Sequence, residues 1–251
     1  MRTNEICVRI VVSEQWFAME SPVLYESTDR IATLTMDDGK VNVMSLGMQE
    51  ALHHALDRAE SDNAVVVLAG RPGVFSAGFD LKTLRAGGPD AQAMVIGGFE
   101  LAERLLSFPC PVVIACSGHA IAMGMFLLLS GDFRVGPEGP FKFQANEVAI
   151  GLTVPRAAIE VLRQRMSPGC FPRAVTLAET FTPANAVAAG ILDEVVPESE
   201  VAATARRVAE MATTLHSAAH RDSKLRVRQS ALEALRIGIE ADRAEFTSMT
   251  N

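Results

Sequence analysis

No two cysteines stand close enough to form a CxxC pair, since Cys7, Cys110, Cys116 and Cys170 are scattered along the 251 residues. Paired-thiol zinc ligation and a disulfide framework are therefore not indicated, and buried thiols are the expected state. The histidines, His53, His54, His119, His216 and His220, also lack metal-ligand spacing, so no metal site is expected. There is no long Lys/Arg cluster, and 30 acidic against 23 basic residues leave a net charge of −7. A polyanion would be repelled, which argues against a nucleic-acid partner. The longest apolar run, around residues 120–129, is much too short to cross a bilayer. Glu5 and Glu14 stand where a signal peptide would be apolar. The expectation is a cytoplasmic protein with no membrane partner. No internal repeat and no low-complexity tract is evident.

What is present is a 49% hydrophobic composition, enough for a sizeable core in one large domain or one domain with an appendage. Residues 1–18 fit poorly with the rest of the chain and read as an N-terminal extension, disordered in one reading, or as a mis-assigned start. From Met19, two short strands flank a polar turn at residues 27–30. Ser45 is placed to cap a helix whose apolar residues, Leu46, Met48, Leu52, Leu56 and Ala59, keep helical spacing. A buried strand comes next at residues 64–69, and its successor loop, GRPGVFSAGFDLKTL, carries Gly70, Gly73 and Gly78 before a short helix with Asp80 at its start.

The chain is organised around residues 112–132, VVIACSGHAIAMGMFLLLSGD, which read as a buried strand, a tight turn and a buried helix. A helix that starts in such a turn leaves its first N–H groups without intrahelical partners, and those donors suit a negatively charged oxygen. Two strands thus end in glycine-bearing turns that lead into helices. Two backbone donors converging on one oxygen are what an oxyanion requires. Between the turns, residues 91–108 form a helix with apolar Met94, Ile96, Phe99, Leu101, Leu105 and Leu106. Further strands are expected at 133–135, 141–143 and 192–196, with helices at 156–166, 171–178 and from 182 to Gly190. From Ser199 the chain looks helical: Val201, Val208, Met211 and Leu215 mark one amphipathic helix, and Leu225, Val227, Leu232, Leu235, Ile237 and Ile239 a second.

The segment FSAGFDL at residues 75–81 resembles the first signature of the crotonase (enoyl-CoA hydratase/isomerase) superfamily, and GHAIAMG at 118–124 with Asp132 resembles the second. The likeness continues through NEVAIGL at 146–152 and AVAAGILDEVVP at 186–197, four motifs in order from about residue 22 to the C-terminus. It implies an α/β fold, a crotonase-like spiral of ββα units over residues 19–198, with a helical C-terminal oligomerisation region over 199–251. It also implies an acyl-CoA thioester substrate, no separate cofactor, and a homotrimer or hexamer.

By this resemblance the backbone N–H groups of Phe79 and Met123 form the oxyanion hole. Glu147 matches one of the two glutamates that a hydratase uses, whereas the other position is occupied by Phe126, which transfers no protons. Apolar neighbours around Glu147 favour a raised pKa, suited to a base. One glutamate without a partner fits isomerisation of a 3-enoyl-CoA to a 2-enoyl-CoA. Lys40, Val41, Ser76, Ala77, Gly78 and Asp80 sit where the family holds CoA, and Phe99 and Phe126 border the acyl pocket. Two other readings remain: hydration through Glu147 alone, and a CoA-thioester-binding protein without turnover. A hydrolase built on Ser117 and His119 is disfavoured, because no third orienting acid is apparent and residues two apart in a loop rarely face each other.

Overall fold

The computed structural model describes residues 21–250, with side chains to residue 248; the expected extension at 1–18 lies outside them. In chain order the elements are β1 (Val23–Thr28), β2 (Ile31–Met36), α1 (Leu46–Ser61), β3 (Val65–Ala69), β4 (Gly73–Ser76), α2 (Leu81–Ala86), α3 (Gly88–Ser107), β5 (Val112–Ala115) and β6 (Gly118–Ile121). They continue with α4 (Met123–Leu129), β7 (Phe133–Pro137), β8 (Phe143–Gln144), α5 (Arg156–Arg163), α6 (Phe171–Leu177), α7 (Pro183–Ala186), β9 (Glu194–Val196), α8 (Val201–Ala212) and α9 (Ser217–Thr250).

Three successive strand pairs each give one strand to each of two sheets. The large sheet has the order β1-β2-β3-β5-β7-β9 and the small one β4-β6-β8. All pairings are parallel except β1 with β2. The chain therefore winds as a spiral, crossing from the large to the small sheet after β3, β5 and β7.

The apolar runs of β3 and β5 have helices on both sides, which is why they do not alternate with polar residues. Leu34, Val66, Leu68, Val112 and Ile114 join the core that includes α1 and α3. Ile31, Val65, Val67, Val113 and Ala115 form a second core with Val201, Ala205 and Ala209 of α8. Fully burying one such side chain is worth about 1.5–3 kcal/mol, so both faces of the sheet are firmly held.

Helix α9 is tied to the spiral by two carboxylate sites and by ion pairs to α3, Arg236 with Glu103 and Arg243 with Glu100. Asp132, at the exit of α4, accepts hydrogen bonds from Val112 N–H (2.8 Å) and Lys224 Nζ (2.8 Å) and pairs with Arg228. Farther along, the Asp242 carboxylate accepts from Arg156 and Ala157 N–H at 3.0 and 2.9 Å, satisfying the start of α5. Gly238 permits this approach, since a Cβ there would lie 2.9 Å from Ala157 N.

The structure departs from the sequence expectations in several places. Residues 112–132 hold two strands rather than one, because the chain changes sheets at Cys116 and Ser117 between β5 and β6. The glycine-bearing loop after β3 contains a strand, β4, whose partner is β6. The helix expected from 182 to Gly190 is only α7, four residues long. Ser199 marks the change from strand to helix but no boundary in packing, since α8 belongs to the sheet's second core. On α9 the expected apolar stripe divides: Leu232, Leu235 and Ile239 are buried, while Val227 and Ile237 are 83% and 71% exposed. No described helix is long and apolar enough to cross a membrane.

Candidate active site

The small sheet brings the two glycine-bearing turns together. Strands β4 and β6 run parallel in the register Gly73↔Gly118, Val74↔His119 and Ser76↔Ala120, so the turns at their ends are neighbours. Gly78, with φ +89°, has no room for a side chain: its Cβ would lie 2.8 Å from the Ile121 carbonyl oxygen and 3.3 Å from Met123 N. Gly124 is equally required, since a Cβ there would come within 2.3 Å of the Ser76 carbonyl oxygen.

Peptide planarity then fixes where the amides point. The Gly78 carbonyl accepts from Met44 N–H at 2.8 Å, and in the same trans peptide unit the Phe79 N–H points the opposite way. The Ala122 carbonyl accepts from Met125 and Phe126 N–H at 2.9 and 3.1 Å, which turns the Met123 N–H out of the start of α4. Neither the Phe79 nor the Met123 N–H has a protein acceptor among the described residues. Because α4 is only seven residues long, the relevant donor is this turn amide rather than an extended dipole.

Glu147 is tied to the same turns through β8. The Ala122 N–H donates to the Gln144 carbonyl at 2.8 Å, and Glu147 lies three residues later at the start of a 3₁₀ turn, Val148–Ile150. It is 7% exposed, its Oε2 has no hydrogen-bond partner, and burial pushes its pKa up to about 7. Its own backbone N–H offsets only part of the cost of burying the charge, so the group changes charge near neutrality.

The wall beside the amides is aromatic. The Phe99 ring of α3 lies 6.2 Å from Phe79, edge to face, and 5.7 Å from Phe126. Phe99, Met123 and Phe126 are fully buried. Gly98 leaves room for Phe79 and Met123: a Cβ there would sit 2.6 Å from the Phe79 ring and 3.2 Å from Met123 Sδ.

The profile of the family described as "Enoyl-CoA hydratase/isomerase" matches residues 26–251. The chain belongs to this family. Among solved structures, an enoyl-CoA hydratase from Mycobacterium marinum is 50% identical, with 90% of this chain and 99% of that one covered at a TM-score of 0.87. An enoyl-CoA isomerase from Mycobacterium tuberculosis is 47% identical, with 90% and 100% covered at the same TM-score. The human mitochondrial enoyl-CoA delta isomerase 1 is 29% identical over 223 residues, 87% of this chain and 74% of that protein.

In this hydratase/isomerase chain the residues expected at the CoA rim do come together. Exposed Ala77 donates its N–H to the carbonyl of exposed Val41 at 3.0 Å, which places Lys40 and Gly78 on one edge of the site. Two of the expected side chains are engaged elsewhere. Asp80 caps α2 by accepting from Lys82 N–H and Thr83 Oγ1, and the fully buried Ser76 hydroxyl donates to the Asn42 carbonyl and accepts from Gly78 N–H. Asp38 and Asn42, which shape the rim loop, were not singled out from sequence; their signal is the turn-rich stretch DDGKVN between strand and helix.

Ser117 and His119 do not pair: Ser117 Oγ donates to the Val74 carbonyl at 3.4 Å, while His119 Nδ1 accepts from Lys142 N–H at 3.1 Å. Among the described residues no group of three or more His, Cys, Asp or Glu is arranged to hold a metal ion. A cleft of about 360 Å³, lined by Thr35, Ala69, Ala115, Ser117, Val201 and Arg206, lies on the α8 side of the large sheet and includes neither Phe79, Met123 nor Glu147.

Proposed function

We propose that the protein shifts the double bond of a 3-enoyl-CoA to the 2-position, with Glu147 as the single acid–base group. The observation that carries this reading is a buried Glu147 whose Oε2 has no hydrogen-bond partner and whose pKa is pushed up to about 7, alongside an aromatic Phe126 where a hydratase has its other glutamate. The Glu147 carboxylate removes a proton from C2, and the electrons move onto the thioester oxygen as a dienolate. The Phe79 and Met123 N–H groups hold that oxygen, a contribution of about 3–4 kcal/mol for each well-placed donor. Glu147, now neutral in its apolar surroundings, returns the proton at C4, and the double bond comes to rest between C2 and C3. No water is activated. Phe79, Phe99 and Phe126 border the acyl chain, while Lys40, Val41, Ala77 and Gly78 flank the CoA moiety. Relatives named as enoyl-CoA isomerases support the reading.

A second reading, hydration through Glu147 alone, is favoured by the similarly close M. marinum relative named as a hydratase. Incubation with 3-enoyl-CoA and, separately, 2-enoyl-CoA tests the choice. Appearance of conjugated 2-enoyl thioester absorbance without hydroxyacyl-CoA is expected; hydroxyacyl-CoA formed from the 2-enoyl substrate at a comparable rate would favour the hydratase. The exposed Val227 and Ile237 of α9 support a homotrimer or hexamer.

A further inference from the structure

Behind the Gly78 turn lies a buried polar hub of Asn42 and Ser76. Asn42 is fully buried and adopts a left-handed φ of +53°. Its side-chain amide donates to the carbonyls of Met36, at the end of β2, and Phe75, in β4, at 3.0 and 3.1 Å. Its Oδ1 accepts from Asp38 N–H at 3.1 Å. Asp38 in turn accepts from the N–H groups of Lys40, Asn42 and Val43 at 2.8, 2.8 and 2.9 Å, which sets the course of the loop as far as Met44.

The second member of the hub is Ser76, also fully buried. Its hydroxyl donates to the Asn42 carbonyl at 2.7 Å and accepts from Gly78 N–H at 3.1 Å. The two peptide units that flank Gly78 are thus both held: one by Ser76 Oγ at its N–H, the other by Met44 N–H at its carbonyl. The second unit is the one that carries the Phe79 N–H. With φ at +89°, Gly78 has the backbone freedom to rotate if either hold is released.

We propose that Ser76, anchored by Asn42, is a positioning residue that aims the Phe79 N–H at the thioester oxygen, an inference resting on the oxyanion role proposed for that amide. Donors outside hydrogen-bond geometry stabilise little, and small misplacements at a reacting centre lower rates on the order of a hundredfold. The Ser76 hydroxyl therefore governs turnover without contacting substrate.

The test compares Ser76→Ala with Ser130→Ala, another buried hydroxyl, whose bond is to the Phe126 carbonyl at the far end of α4. For each protein, kcat, KM, thermal stability and the infrared carbonyl band of a bound acyl-CoA thioester are measured. Ser76→Ala is expected to lower kcat about tenfold or more with KM within about twofold, and to move the carbonyl band back toward its position in free thioester. Ser130→Ala is expected to lose comparable stability with the band where wild type has it. Ser76→Cys, which keeps a weak acceptor, is expected between wild type and Ser76→Ala, and supplies the comparison if the alanine variant does not fold. A Ser76→Ala band equal to that of wild type overturns the positioning role alone. A wild-type band that does not move on binding overturns both the oxyanion hole and the positioning role.

Discussion

A side chain on Gly78 would run into Ala122: its Cβ would stand 2.9 Å from the Ala122 Cβ. The two turns that carry the Phe79 and Met123 amides are therefore in direct contact, and the amides are neighbours because the turns are. Each turn has an unusual backbone, Gly78 at φ +89° and Ala122 at φ +49°, ψ −121°. The first is ordinary for glycine; the second is sparsely populated by any residue with a Cβ and costs on the order of 1–3 kcal/mol.

Ala122→Gly relieves that strain at the expense of a more flexible unfolded chain. A net gain of about 1 kcal/mol is expected, read as an increase in the urea midpoint without a change in slope. The Met123 N–H keeps its direction, because the carbonyl bonds into α4 do not involve the Ala122 side chain.

Glu147 must be charged to take a proton, and its pKa lies near 7. The logarithm of kcat/KM for a 3-enoyl-CoA is expected to rise with pH up to about 7 and level off above it. A profile already flat from pH 5 upward would show that another group is the base.

The same raised pKa destabilises the folded protein once the group is ionised. Folded Glu147 binds its proton more tightly than the unfolded chain does, so its contribution to stability is full below about pH 4.5 and lost as pH rises through about 7. Glu147→Gln, uncharged at every pH, is expected to exceed wild type in stability by about 3 kcal/mol above pH 8. The difference should vanish near pH 4, as denaturation curves at the two pH values would show.

Adjacent glycines in the middle of α3 are expected to differ in importance. Gly98→Ala drives a methyl group into the Phe79 ring, which borders the proposed acyl pocket, and a loss of about tenfold or more in kcat/KM is expected for longer acyl groups. At Gly97 the nearest atom is the Oε1 of Gln49, 2.6 Å from the added Cβ, and that amide must shift while its Nε2 stays bonded to Met94 and Met44. Gly97→Ala is therefore expected to alter stability more than acyl-length preference. Steady-state kinetics over a series of acyl lengths separates the two.

Much of this was legible because local rules and global fold agree. Ser45 does accept from Met48 N–H at the start of α1, and Asp80 does cap α2, as short polar side chains before apolar helical runs do. Glu147 was legible as a carboxylate among apolar neighbours, and Phe126 as the aromatic that replaces one. Of the second sheet only β8 was legible, through the strand expected at 141–143 that overlaps it, because β4 and β6 have four residues each, too few to show periodicity. The hub of Asp38, Asn42 and Ser76 was hidden for a different reason. The two bonds that join its loop to β4 link residues more than thirty apart, and in sequence an Asn in a turn-rich loop has many local explanations.

The most direct measurement of the one-base isomerisation is deuterium uptake at C2 and C4 of a 3-enoyl-CoA in heavy water, followed by NMR for wild type and Glu147→Gln in parallel. Exchange at both carbons with migration of the double bond is predicted in wild type, and loss of both in Glu147→Gln by a factor of about a thousand or more. Undiminished exchange and migration in Glu147→Gln would contradict Glu147 as the base.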